Sequence, residues 1–324
     1  MSIKAEQRYY LKLKALYYLY EKRYTNTEIA KLLGVSRVTL NHLLDEAHKE
    51  GMVNIEIIDS RKLKSLIDIE EQLKARFDLQ DVKIVDVSEE DSSNVNQKLA
   101  LEGAKYFELF LRKGMKIGIT WGRTLRAMVN NLSKDQSINN LEVYTLLGGA
   151  YNEPDFQPNI LAQELIELYS GKAYIINAPF MCYSDHLCNE IKKEPSIDRI
   201  LKDTRNLDIT LVGIGEEPCF ESVKTSYYHF NEEIVQSLLD AGAVGDICGN
   251  FFDINGNPCD SIISKRIVSI DILDLKSHKK VIGIGGGPTK IKSILGVLNG
   301  HYLDVLITDL KTANKIIKLL DEGR

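Results

Sequence analysis

Long apolar runs are missing from this 324-residue chain. Nothing in it approaches the roughly 18–20 consecutive apolar residues that cross a bilayer, so no membrane partner is expected. The opening Met1-Ser2-Ile3-Lys4 carries no secretory apolar region, which points to a cytoplasmic protein. Cysteine is sparse: Cys182, Cys188, Cys219, Cys248 and Cys259 are odd in number, widely spaced, and form no CxxC pair or neighbouring CxxH. That pattern argues for reduced thiols rather than a disulfide framework, and no metal or other cofactor is expected. The phosphate loop GxxxxGK[ST] and the dinucleotide spacing GxGxxG are also absent, which disfavours nucleoside triphosphates and NAD as ligands. A net charge of −5 excludes a protein that coats nucleic acid over its whole surface.

Charge is unevenly spread. Residues 1–51 carry a net +3, leaving −8 on the remainder. A small basic head on an acidic body suits local phosphate contact. The length favours more than one domain, and the pattern divides into a helix-turn-helix domain over 1–58, a connector helix over 59–78 and a large α/β domain over 79–324.

In the head, helical spacing puts Leu13, Leu16, Tyr17 and Tyr20 on one stripe. Thr25-Asn26-Thr27-Glu28 reads as a capping box that starts a second helix, with Ile29, Ala30 and Leu33 inward and Gly34 at its left-handed end. Ser36 caps a third helix that buries Leu40, Leu43, Leu44 and Ala47. Two helices joined by a short glycine turn form a helix-turn-helix. The open face of the third helix then presents Arg37, Val38, Thr39, Asn41 and His42 to a major groove, with Ser36 beside a phosphate. Residues 53–57 alternate like a strand and suggest a short wing. In the connector, Leu63, Leu66, Glu70, Leu73 and Phe77 follow the 3,4 rhythm of a dimer seam; packing on the next domain fits equally well.

From Val82 onward strands alternate with helices, which predicts a doubly wound, mostly parallel sheet covered on both faces. Ligands in such sheets sit at the carboxyl ends of strands. Two strand ends suit an anion: Thr120-Trp121-Gly122-Arg123-Thr124, and Gly285-Gly286-Gly287-Pro288-Thr289-Lys290, each opening a helix. Glycine needed only for a tight turn is the plainer alternative. In the segment 242–253, Asp246 can accept from sugar hydroxyls, and Phe251 or Phe252 can wall a pocket. Asn255-Gly256-Asn257-Pro258 reads as a turn.

Five segments carry a specific resemblance: EIAKLLGVSR (Glu28–Arg37), GITWGRT (Gly118–Thr124), GAVGDICGNFFD (Gly242–Asp253), GGGPTKIKSILGVLNG (Gly285–Gly300) and DVLITD (Asp304–Asp309). Across essentially its whole length the chain resembles the SorC-type bacterial transcription regulators, the family of the sorbitol operon and deoxyribonucleoside regulators. The resemblance implies an effector domain similar to ribose-phosphate isomerases and glucosamine-phosphate deaminases, sensing without turnover. It implies phosphate contacts from Thr120, Gly122, Thr124, Gly285, Gly286 and Lys290, sugar contacts from Asp246 and the loop after it, and dimers that pair into tetramers on DNA. Arg123 beside the phosphate, and Gly148, Gly149 and Phe251 beside the sugar, complete the expected site. The expected role is a regulator of carbohydrate catabolism on a palindromic operator, a repressor ahead of an activator. Where the deoxyribonucleoside regulator has an imine-forming lysine, this chain has Leu147, so its effector binds non-covalently. The alternative is a sugar-phosphate isomerase or deaminase with Asp246 as base and Lys290 as phosphate anchor.

Overall fold

A computed structural model describes residues 3–54, 63–87, 94–135, 137–150, 157–219 and 230–322. They form two compact units, Met1–Arg61 and Lys62–Arg324.

The smaller unit holds α1 (Ile3–Leu16), continued by a π-helical turn (Tyr17–Glu21), then α2 (Asn26–Leu33) and α3 (Arg37–Lys49). The capping box forms as its residues dictate: the Thr25 hydroxyl accepts from the Glu28 N–H, and the Glu28 carboxylate accepts from the Thr25 N–H at 2.8 Å. Gly34 ends α2 in the left-handed region at φ 67°, and Ser36 caps α3 by accepting from the Thr39 N–H. The expected stripe on α1 is displaced. Leu13, Tyr17 and Tyr20 are exposed, and the buried positions are Lys12, Ala15 and Leu16. The inward face takes its phase from contacts with α3, where the Lys12 ammonium meets Glu50 and the Arg8 guanidinium meets Glu46. The π-turn then breaks the 3.6-residue period on which the stripe was drawn. In the expected wing, residues 53 and 54 are not in a strand, and 55–57 lie outside the described residues.

The larger unit opens with α4 (Lys64–Phe77) and β1 (Asp81–Val85). The positions read as a possible seam mostly face their own sheet. Leu73 and Phe77 are buried in its core, Leu66 packs against it, and the Glu70 carboxylate accepts from the Ile84 N–H at 2.8 Å. The acid that interrupts the heptad thus satisfies an edge strand that would otherwise offer unpaired groups. Leu63 and Ile67 remain exposed.

The sheet continues through α5 (Val95–Phe110), β2 (Lys116–Ile119), α6 (Arg123–Asn130), β3 (Leu141–Thr145), α7 (Pro158–Tyr169) and β4 (Gly171–Tyr174). Then come α8 (Asp185–Lys193), α9 (Pro195–Asp203), β5 (Ile209–Gly213), α10 (Glu232–Asp240) and the hairpin β6 (Gly245–Ile247) and β7 (Asn250–Phe252). The chain closes with β8 (Val281–Ile284), α11 (Ile291–Asn299), β9 (Val305–Asp309) and α12 (Leu310–Glu322). Seven strands pair in parallel in the order β1-β9-β8-β5-β2-β3-β4. Alternate residues split between two cores. Ile117, Ile119, Leu211, Ile282 and Ile307 face α5, α6 and α7, whereas Val212, Val281 and Leu306 face the side covered by α4, α10, α11 and α12. The chain steps outward from β2 to β4, then returns to place β5 on the other side of β2. This reversal opens a crevice at the carboxyl ends of β2 and β5.

His278 is buried at the opposite, amino-terminal end of β5. Its Nδ1 meets the Thr210 hydroxyl at 2.8 Å, while Nε2 has no hydrogen-bond partner among the described residues. Burial holds its pKa below the ordinary histidine value, against the raising pull of the Thr204 backbone, Asp274 and Asp304. A depressed folded value favours the neutral ring. The stability it contributes is therefore full above the unfolded value near 6.5, and is lost as pH falls from there towards the folded value. Urea midpoints of the wild type should fall as pH drops below about 6.5, and His278→Gln should flatten that part of the profile. Parallel profiles for the two proteins would contradict this.

Candidate functional site

The two glycine segments form matching strand-to-helix turns. After β2, the Thr120 N–H donates to the Leu211 carbonyl at 3.1 Å; after β8, the Gly285 N–H donates to the Ile307 carbonyl at 3.1 Å. The chain then turns at a glycine in each: Gly122, at φ 127°, ψ 157°, precedes α6, and Gly287, at φ 95°, ψ 163°, precedes a 3-10 turn (Pro288–Lys290) that runs into α11. That region of backbone space is essentially open to glycine alone. Thr25, Ser36, Ser184 and Asn231 cap their helices with side-chain oxygens, but at Gly122 and Gly287 no side chain does so. At Gly122 this leaves the first N–H groups of α6 for water or an anion, at the positive end of the helix dipole. The turn at Gly287 instead passes through Pro288, which has no N–H, and the Lys290 N–H donates to the Gly287 carbonyl at 3.0 Å.

Strand order and register put these turns side by side. Only β5 separates β2 from β8, with Ile119 opposite Leu211 and Gly213 opposite Ile284. Two strand spacings amount to roughly 10 Å, the span of a small phosphorylated sugar. Lys290 projects into the interval. Its Nζ donates to the Ile214 carbonyl just beyond β5 at 2.5 Å and stands 3.7 Å from the Glu216 carboxylate. Burial pushes the Lys290 ammonium below the usual lysine range; Glu216 and Asp246 pull it up, and Arg123 adds a lowering push. The four charged groups therefore act on one small space.

Asp246 reaches that space from the β6–β7 hairpin. It is buried, its Oδ2 accepts from the Gly249 N–H at 3.1 Å, and its carbonyl accepts from the Gly215 N–H at 2.8 Å. A Cβ on Gly215 would lie 1.7 Å from Asp246 Oδ1, so no side chain fits there. Phe251 pairs with Asp246 across the hairpin, and its ring lies 5.9 Å from that of Phe230. The Phe251 and Phe252 rings are both buried in the core, Phe252 beside Tyr302.

The remaining expected residues divide. Arg123 is exposed at the first helical position of α6, and the Thr124 hydroxyl lies 3.4 Å from Asn96 Oδ1. Thr120 is buried, its hydroxyl accepting from the Gly213 N–H at 3.2 Å, so it ties β2 to β5 rather than facing the crevice. Gly285 and Gly286 are buried; a Cβ on Gly286 would come within 2.4 Å of Asp309 Oδ2. Gly148 and Gly149 spend their N–H groups on the Val268 and Ala178 carbonyls, which makes them packing positions beside the crevice. Leu147 is fully buried.

Two residues escaped the sequence reading. Asp309, at the end of β9, accepts from the Gly287 N–H (2.8 Å), the Thr312 N–H (2.9 Å) and the Thr312 hydroxyl (2.6 Å), and so holds the glycine turn in place. An acid closing an otherwise apolar buried strand was the available signal. Glu216 gave none, since its role depends on the turn that brings β5 beside Lys290.

A cavity of about 310 Å³ lies beyond β4, lined by Asn177, Ala178, Pro179, Glu190, Ile191, Glu194 and Ile197. Its only charged lining groups are carboxylates, which repel a phosphate. The glycine turns are the better anion site.

In the smaller unit, Arg37, Val38, Thr39, Asn41 and His42 all lie exposed on α3, opposite buried Leu40, Leu43 and Leu44. The Asn41 Oδ1 accepts from Asn26 Nδ2 of α2 at 3.2 Å, which orients its amide. The Ser36 and Thr39 hydroxyls are 2.8 Å apart at the start of the helix.

Residues 61–318 match a sequence family described as "Putative sugar-binding domain". The chain is 29% identical to the deoxyribonucleoside regulator of Bacillus subtilis (strain 168), over 95% of this chain and 97% of that protein. It is also 29% identical to the sorbitol operon regulator of Klebsiella pneumoniae, with the same coverage. The crystal structure of that full-length regulator, SorC, matches with a TM-score of 0.73 at 28% identity, covering 95% of this chain and 98% of that one. With the sugar-binding domain and the helix-turn-helix both in place, the chain belongs to the SorC-type family of sugar-sensing transcription regulators.

Proposed function

We propose that this protein is an effector-controlled repressor of a carbohydrate-catabolism operon, acting in the cytoplasm. Its small unit binds a palindromic operator through α3, and its large unit captures a phosphorylated sugar without forming a covalent bond. The observation that carries this reading is the pair of glycine turns flanking β5, one opening α6 at an uncapped N-terminus and the other leading through a 3-10 turn to α11, with Lys290 between them. The N–H donors and Lys290 would hold the phosphate, and Asp246 would accept from sugar hydroxyls. Paired subunits would align two copies of α3 with two half-sites, and the effector would favour one arrangement of the pair over the other.

A coupling of about 1–3 kcal/mol is typical of such regulators, so a cognate sugar phosphate should change operator affinity roughly 5- to 150-fold. Fluorescence anisotropy of labelled operator, with and without ribose, glucosamine and fructose phosphates, measures this. Unchanged affinity across all effectors that bind would defeat the regulatory reading.

Glu216 supplies a second carboxylate near Lys290 and Asp246, the feature that proton transfer between sugar carbons would need. Incubation with the same sugar phosphates should nonetheless give no turnover. Measurable isomerisation or deamination would favour the enzymatic reading.

A further inference from the structure

We infer that Glu216 is a specificity residue of the effector site: its carboxylate occupies the anion position beside Lys290 until a phosphate displaces it. The inference rests on the phosphate-site reading above and adds a competitor to it. Charge comes first. Lys290 and Arg123 contribute two positive charges to the crevice, and Glu216 and Asp246 contribute two negative ones. Each carboxylate there repels a phosphate dianion, and withdrawing one strengthens the site's attraction for it.

Geometry selects which carboxylate moves. Asp246 is buried on the hairpin, accepts from the Gly249 N–H, and has Gly215 packed directly over it. It cannot withdraw without dismantling β6 and β7. Glu216 is exposed and stands 3.7 Å from Lys290 Nζ, a charge contact longer than a hydrogen bond. It follows Gly215, which lies beyond the end of β5 and whose N–H is pinned to the Asp246 carbonyl at 2.8 Å. The side chain can therefore swing out while the chain beneath it stays fixed. Glu217 next to it is already engaged with Lys292, at 3.0 Å through both oxygens, and does not face Lys290.

The displacement also discriminates between ligands. A neutral sugar cannot replace the Glu216 charge beside a partly buried ammonium, whereas a phosphate can. A competitor that fills the site most of the time lowers apparent affinity by the fraction of empty sites.

Calorimetric titration of the full-length protein with inorganic phosphate tests this. Glu216→Gln should bind phosphate about tenfold more tightly than wild type, as should Glu216→Ala, and adding Lys290→Ala should abolish the gain. Glu217→Gln, with the same change in net charge one residue away, should leave affinity unchanged. If E216Q binds phosphate as the wild type does while K290A abolishes binding, the phosphate site stands and the competitor role of Glu216 falls. An equal gain in E217Q reduces the effect to net charge and overturns the proposal too. If neither wild type nor E216Q binds inorganic phosphate or any sugar phosphate, both readings fall together.

Discussion

Lys290→Ala should separate the two halves of this protein's behaviour: the response to effector is lost, while operator binding without effector persists. The lysine places a partly buried ammonium between the two glycine turns, held by the Ile214 carbonyl. Removing it takes away the phosphate's charged donor and leaves Arg123 as the remaining cation against Glu216 and Asp246. Truncating one partner of a buried charge pair costs about 2–5 kcal/mol, which means an affinity loss from roughly 30-fold to beyond 1,000-fold. Effector affinity by calorimetry and operator affinity by anisotropy should therefore diverge in this variant. A K290A protein that still responds at wild-type effector concentrations would show that the phosphate sits elsewhere. A drop in operator affinity without effector would show that the substitution damages the fold instead.

The second large effect concerns α3. Asn41→Ala should weaken operator binding by about 1–3 kcal/mol and relax base preference at one position of each half-site. Arg37→Ala should do the same at another. Asn41 is the more pointed test, because its amide is already oriented by Asn26 and pays little to bind. Phosphate contacts elsewhere in the head should make the wild-type affinity fall steeply with salt, and N41A should keep that slope while losing specificity. An N41A protein with unchanged sequence preference would place base reading on another face. A shallow salt dependence in the wild type would count against the head as a DNA reader.

Much of this architecture was legible in the sequence because it rests on local rules. The caps at Thr25 and Ser36, the left-handed Gly34 and the seven parallel strands each follow from a few neighbouring residues. The two glycine turns were legible for the same reason: a tight turn after a strand is a local demand, and Gly122 and Gly287 adopt backbone angles that only glycine tolerates. What was hidden is non-local. The stripe on α1 was misplaced because its inward face depends on α3 and its period is broken by a π-turn. Thr120 looked like a ligand-facing hydroxyl, yet the strand beside it, from a segment about ninety residues later, takes that hydroxyl for Gly213. Gly148 and Gly149 were expected beside the sugar, but their amides are spent on segments that the fold brings alongside. Glu216 and Asp309 gained roles only once strand order placed β5 beside β8 and β8 beside β9.

The central claim is that the large unit recognises phosphate, not sugar alone, at the crevice between β2 and β8. Thermal unfolding of the full-length protein, with sugar phosphates and their unphosphorylated counterparts at equal concentration, tests it most directly. The account predicts a rise in unfolding temperature with at least one phosphorylated sugar, none with the same sugar lacking phosphate, and no rise for either in K290A. An equal rise with the unphosphorylated sugar, or one that survives in K290A, would contradict it.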